Sequence, residues 1–225
     1  MKIAELFYSL QGEGSLVGVP SVFIRTSGCN LRCTWCDTPY TSWTPEGTEI
    51  PLDQVLAEVQ ARPARHVVVT GGEPMIAPEI VALTERLREL GLHITVETAG
   101  TVFKPVACDL MSISPKLANS IPAKDAYWAR QHDRLRINLE VLSQLISRYE
   151  YQLKFVVETP RDLEEIRPLV AELHADPCRV VLMPEGTDGE ILRRRSVWLS
   201  EICKSEGFRL SPRLHIDLYG NRRGV

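Results

Sequence analysis

The sequence predicts an α/β fold: an open, partial β/α barrel of about six parallel strands, with a doubly wound sheet as the alternative. Three observations carry this expectation. Short runs rich in β-branched residues alternate with stretches of helical periodicity along most of the chain, an order that gives a parallel sheet covered by helices. Only about six such units can be read, fewer than the eight that close a barrel. No repeat, Gly/Ser linker or break in composition divides the chain, so one domain over 1–225 is expected.

The first strand is read at Val22-Phe23-Ile24-Arg25, a β-branched and aromatic run halted by Ser27-Gly28. Leu52, Val55, Leu56 and Val59 then recur at helical spacing. His66-Val67-Val68-Val69-Thr70 is a short buried strand stopped by Gly71-Gly72. Pro78 opens a helix bearing Ile80, Leu83, Leu87 and Leu90, and Gly91 is placed to close it. Ile94-Thr95-Val96-Glu97 and Leu110-Met111-Ser112-Ile113 give the third and fourth strands. The stretch 115–136 shows no clear pattern and receives no assignment. Leu139 to Tyr149 is helical, and Leu153-Lys154-Phe155-Val156-Val157 is the fifth strand. Leu163, Ile166, Leu169, Val170 and Leu173 mark a helix, Arg179-Val180-Val181-Leu182-Met183 the sixth strand, and Ile191 to Ser205 the last helix.

Composition narrows the function classes. With 225 residues, 44% of them hydrophobic, the chain can bury a sizeable core and is not a disordered one. Its net charge of −3 lacks the basic excess that a broad nucleic-acid or membrane surface needs. No apolar run reaches membrane-spanning length, and Met1-Lys2-Ile3-Ala4-Glu5 is not the start of a signal peptide. A cytoplasmic location with reduced thiols is expected. Six cysteines there do not read as a disulfide framework. Cys108, Cys178 and Cys203 are scattered, and read as buried free thiols.

The unusual residues gather at one end of the strands. Cys29-X3-Cys33-X2-Cys36 follows the first strand, Gly71-Gly72-Glu73-Pro74 the second, Glu97-Thr98-Ala99-Gly100 ends the third, Ser114-Pro115-Lys116 follows the fourth, and Met183-Pro184-Glu185-Gly186 the sixth. In parallel β/α folds these carboxyl-end loops converge on one mouth. Three thiolates at spacings of three and two residues can wrap a compact inorganic core, and iron–sulfur clusters are usually held by four. A structural zinc site completed by Cys108 or His66 is the alternative, although no second cysteine pair exists to build the usual paired knuckles. The two glycines allow a ligand close to exposed backbone, and Glu73 can accept from a cationic amine.

Taken together, the cysteine loop and the following Gly-Gly-Glu-Pro turn resemble the hallmark of the radical S-adenosylmethionine enzymes. That resemblance implies a [4Fe–4S] cluster on Cys29, Cys33 and Cys36, with S-adenosylmethionine on the fourth iron. The flanks, Phe7-Tyr8-Ser9-Leu10-Gln11-Gly12-Glu13-Gly14, Arg25-Thr26-Ser27-Gly28-Cys29-Asn30-Leu31 and Trp35-Cys36-Asp37-Thr38, are similar to those of the 7-carboxy-7-deazaguanine synthase family. It contracts the ring of 6-carboxy-5,6,7,8-tetrahydropterin, with magnesium, in queuosine and deazapurine biosynthesis. The resemblance implies pterin contacts at Leu10, Gln11, Gly12, Arg25 and Thr98, and magnesium at Thr38. It assigns Trp35, Cys36, Asp37, Gly71, Gly72, Glu73, Gly100, Ser114, Pro115 and Lys116 to S-adenosylmethionine. Segment 1–18 would bind substrate, 26–44 would be the cluster loop, and no residue would act as a catalyst apart from the cofactors.

The same resemblance implies an electron donor of the flavodoxin or ferredoxin type and a homodimer, with no nucleic acid and no membrane. Arg25 can grip a carboxylate bidentately; its alternative is a surface ion pair. Gln11 reads equally as a pterin-edge contact or a polar turn, and Lys116 as a site residue or a solvated charge. Arg213 and His215 read either as facing the substrate carboxylate or as a solvated basic tail, and Arg193-Arg194-Arg195 as an exposed helix face. Met183 stands where the family carries a glutamine before the proline. Two other functions share part of the pattern: a glycyl-radical-type activating enzyme acting on a protein, and a zinc-binding module without activity.

Overall fold

A computed structural model describes all residues, 1–225. Its strands are β1 (Lys2–Leu10), β2 (Pro20–Thr26), β3 (Thr48–Glu49), β4 (His66–Gly71), β5 (His93–Thr98), β6 (Leu110–Ile113), β7 (Tyr151–Val157), β8 (Val180–Pro184) and β9 (Arg209–Leu210). Its helices are α1 (Pro39–Ser42), α2 (Leu52–Gln60), α3 (Ile80–Glu89), α4 (Ala126–Leu135), α5 (Leu139–Arg148), α6 (Leu163–Glu172), α7 (Gly189–Glu206) and α8 (Leu214–Tyr219). All nine strands form one open sheet in the order β3-β1-β2-β4-β5-β6-β7-β8-β9. The six expected strands are the parallel series β2, β4, β5, β6, β7 and β8, and the strand order never reverses. A doubly wound sheet turns back at a switch point; this one is the partial barrel.

Two features depart from expectation. The parallel rule fails at one edge, where β1 and β3 run antiparallel. β1 itself was not foreseen, because its cavity face carries Glu5, Phe7 and Gln11 just beyond its end, so hydrophobic alternation is broken. In place of that signal it pairs side chain to side chain with β2: Glu5 opposite Arg25, Phe7 opposite Phe23. The unassigned stretch 115–136 contains α4, whose N-terminus Asp125 caps by accepting from the Tyr127 and Trp128 N–H groups. Its one buried residue is His132, so no apolar stripe announced it.

The strands alternate between two buried faces of different character. Val22, Ile24, Val67, Val69, Ile94, Val96, Met111, Ile113, Leu153 and Phe155 point to the helices and are buried in the apolar core. Each such side chain contributes about 1.5–3 kcal/mol through burial. Residues of opposite parity point inward and include the polar Thr70, Glu97, Ser112 and Lys154 beside Phe23, Val156 and Met183. The helices α2, α3, α5 and α6 bury Val55, Leu83, Leu142 and Ile166 against the first face. Gly91 (φ 70°) follows α3 and Gly207 (φ 72°) follows α7, where a left-handed residue ends each helix. No helix is long and apolar enough to cross a membrane.

Candidate active site

The polar inner face opens at the carboxyl ends of the strands into a cavity of about 720 Å³, a size suited to small molecules. Every expected site residue lines it except Glu73, Gly100 and Pro115. Cys29, Cys33 and Cys36 all face it from the irregular segment after β2. The Leu31 N–H donates to Cys29 Sγ at 3.3 Å, and Ser42 Oγ lies 3.4 Å from Cys36 Sγ. Burial pushes the Cys29 and Cys33 thiols up to about 12. Both are therefore protonated when nothing is bound, and a metal group must expel their protons on arrival. Three soft donors on one loop facing one cavity fit an iron–sulfur cluster.

The zinc alternative fits poorly. No three His, Cys or carboxylate side chains gather closely enough to hold a single ion. Its proposed fourth ligands are at the wrong end of the barrel. His66 begins β4 and stacks on His93 at 4.6 Å, while Cys108 precedes β6 and donates to the Ile94 carbonyl. Both lie by the amino ends of parallel strands, opposite the cysteine loop.

The glycine turn is pressed against that loop. The Glu73 N–H donates to the Gly28 carbonyl at 2.9 Å. A Cβ on Gly72 would strike that same carbonyl and lie 2.7 Å from Cys29 Cβ. Gly72→Ala is expected to cost about 1–3 kcal/mol by overpacking, which lowers Tm by several degrees and displaces Cys29. Thermal melting and iron content check this; an unchanged melt with full iron would sink it.

Glu73 sits just behind the cavity lining. Its carboxylate takes the Thr98 hydroxyl at 2.7 Å and the N–H groups of Ala99 at 2.8 Å and Met75 at 3.0 Å. It is fully buried, and these bonds tie the turn after β4 to the end of β5. Gly100 is also turned away, since a Cβ there would meet Leu142 of α5. Pro115 only carries the chain between Ser114 and Lys116, which do line the cavity.

The same cavity brings together Leu10, Gln11, Gly12, Arg25 and Thr98. Gln11 Nε2 donates to Glu97 at 3.1 Å, and its Oε1 accepts the Glu13 N–H. Arg25 does form an ion pair, with Glu5 at 2.7 Å, but the pair lies within the cavity wall rather than on the surface. The Tyr40 hydroxyl donates to the same carboxylate at 2.7 Å. Phe7 and Phe23 stack beneath it with ring centroids 4.9 Å apart. Lys116 has no carboxylate partner; its Nζ donates to the Ser114 carbonyl and hydroxyl and lies 6.0 Å from the Trp35 ring. Thr38 lines the cavity with its hydroxyl 3.8 Å from Cys36 Sγ.

Sequence reasoning missed a charge network along the cavity lining. Lys154 pairs with Glu13, which Arg213 Nε also reaches at 3.2 Å; Arg213 in turn pairs with Asp37 and donates to the Gly186 carbonyl at 2.6 Å. Burial alone would raise the Glu13 carboxyl, but Lys154 and then Arg213 hold it far below the usual carboxylate range. The readable signal was a lysine inside the apolar run Leu153 to Val157. The solvated-tail reading of Arg213 is corrected: the side chain is buried between two acids. His215 also lines the cavity, as do the last five residues, 221–225. Arg193 and Arg194 are exposed as expected, whereas Arg195 pairs with Glu185 and Glu158.

Comparison with known proteins agrees with this geometry. Residues 23–122 match the model of the Radical SAM superfamily. The chain is 47% identical, over 98% of its length, to a 7-carboxy-7-deazaguanine synthase of Halobacterium salinarum, covering 91% of that protein. It is 48% identical, over 99% of its length, to one of Rhodopirellula baltica, covering 88% of it. The crystal structure of QueE from Escherichia coli is similar with a TM-score of 0.69 and 30% identity, over 95% of this chain and 94% of that one.

Proposed function

The chain belongs to the 7-carboxy-7-deazaguanine synthase family of the radical S-adenosylmethionine superfamily, and from that membership we propose that it converts 6-carboxy-5,6,7,8-tetrahydropterin to 7-carboxy-7-deazaguanine with loss of ammonia. The enzyme is a lyase of the queuosine pathway that uses a [4Fe–4S] cluster and S-adenosylmethionine. The observation that carries the substrate reading is one cavity lined by three thiols together with Gln11, Arg25 and Thr98.

Cys29, Cys33 and Cys36 would hold the cluster, which with S-adenosylmethionine supplies a carbon-centred radical by one-electron cleavage of the sulfonium. The protein's own residues orient and enclose. Lys116, free of any carboxylate in the protein, offers its charge to the carboxylate end of the cofactor, beside Trp35, Asp37, Ser114 and the backbone of Gly71 and Gly72. Gln11 and Thr98 offer hydrogen bonds to a pterin edge. Arg25, fixed by Glu5, presents a guanidinium to the substrate carboxylate. Thr38, which lines the cavity, would be the residue to offer a hard oxygen to magnesium. Residues 221–225 along the cavity help keep bulk water from the reacting carbon.

A one-electron donor of flavodoxin or ferredoxin type, and a homodimeric assembly, complete the proposal. An activase for a protein substrate would need an open groove; a cavity bordered by the chain's own C-terminal residues favours a small molecule instead. The test is anaerobic incubation of the reconstituted protein with S-adenosylmethionine, a reductant, magnesium and carboxytetrahydropterin. A deazaguanine chromophore is expected, and a slower rate when magnesium is withheld. No new chromophore, with the cluster intact, would remove this substrate.

A further inference from the structure

The backbone from Arg32 to Thr34 is held at three points by His132, Ser120 and Trp43. The Arg32 N–H donates to His132 Nδ1 at 3.1 Å. The Thr34 N–H donates to the Ser120 carbonyl at 2.8 Å. Trp43 Nε1–H donates to the Cys33 carbonyl at 3.1 Å. The first two anchors are themselves joined, because His132 Nε2 lies 2.9 Å from Ser120 Oγ, which donates onward to the Leu117 carbonyl at 2.6 Å.

Partner chemistry fixes the tautomer. A backbone N–H can only donate, so His132 Nδ1 carries the lone pair and Nε2 the proton, which goes to Ser120 Oγ. Both ring nitrogens are thus committed to protein partners and neither is free to ligate a metal. The imidazole is fully buried. Burial, aided by the charges of Arg136 and Lys116, takes its pKa down to about 4, so it is a neutral acceptor at ordinary pH. The Arg32 guanidinium sits 4.1 Å from the centroid of Trp128, one turn earlier on α4, and donates to the carbonyls of Cys29 and Leu31. One face of α4 therefore grips the loop through residues four apart.

We infer that His132 is a positioning residue that presets the backbone on the Arg32 side of Cys33 for cluster capture, acting through the Nδ1 lone pair. This rests on the cluster reading above. A loop without regular structure would otherwise spend conformational entropy each time it closed on a cluster; anchoring it beforehand lowers that cost.

Three variants separate the two ring nitrogens. His132→Asn sets an amide near the former Nδ1 and can still accept from Arg32; His132→Gln reaches only the Nε2 position; His132→Leu does neither. Iron per protein after anaerobic reconstitution, the rate of bleaching by a chelator, and the electron paramagnetic resonance of the reduced cluster are the readouts. His132→Asn is expected to bleach within about twofold of the wild type, and the Gln and Leu variants about tenfold faster or more. Rescue by Gln but not Asn, or wild-type rates and spectra in all three, would overturn the inference. Should the variants fail to fold, nitrogen-15 resonances of histidine in the oxidised wild-type holoprotein decide it. A bare Nδ1 at His132 supports the role, and a protonated one refutes it. A wild type that takes up no iron would defeat the cluster reading instead, and the tautomer measurement would still judge His132.

Discussion

Cys33→Ala, purified without oxygen and supplied with iron and sulfide, is expected to hold almost no iron and to show only background turnover. The loop presents three thiolates where most clusters have four, so removing one leaves a pair that cannot retain the core. Cys29→Ala and Cys36→Ala are expected to behave alike, while Cys108→Ala, Cys178→Ala and Cys203→Ala keep their iron. The contrast is geometric: only the first three thiols line the cavity. Cys203 is packed in the core and Cys178 is exposed. Full iron content with normal turnover in Cys33→Ala would end the cluster assignment.

Arg213→Met is expected to lower stability by about 3 kcal/mol at neutral pH, the lower end for an uncompensated buried charge, because Asp37 is 40% exposed and partly screened. For a chain of this size the shift in Tm is roughly 6–12 °C. The variant leaves Asp37 with no cation and the Gly186 carbonyl with no guanidinium. A Tm within about 2 °C of the wild type would refute the claim.

The effect has a pH signature. Glu13 and Asp37 both have folded pKa values lowered, in each case against the opposing effect of burial, by Lys154 and Arg213 for Glu13 and by Arg213 for Asp37. The unfolded chain therefore takes up protons first as pH falls. The stabilisation is present above the ordinary carboxylate pKa of about 4 and is lost below it. The Tm gap between wild type and Arg213→Met should shrink as pH drops from about 5 toward 2, and a gap that widened would contradict the sign.

Much of the site was legible because its chemistry is local. The cysteine spacing lies within eight residues of one another, and the glycine turn, the Thr98 strand end and Lys116 each sit directly after a readable strand. What escaped was whatever depends on residues far apart. β1 was hidden because its inner face serves the cavity, with Glu5 answering Arg25 across the sheet. Helix α4 was hidden because its buried contact is a histidine meeting Arg32, a hundred residues earlier. That Glu73 braces two strand ends was likewise hidden, because its partners Thr98 and Ala99 lie a full β/α unit away.

By itself, then, the sequence determined most of the alternation of strands and helices, the six strands β2, β4, β5, β6, β7 and β8 as a parallel set, and the three-thiol loop. Periodicity and spacing along the chain are enough to specify these. Only the tertiary structure decided which charges are paired, as with Glu13, Lys154, Arg213 and Asp37, and which residues brace the cysteine loop. The physical reason is that desolvation and hydrogen-bond pairing depend on distance in space, and chain closure brings Glu13 and Arg213 together from opposite ends of the sequence.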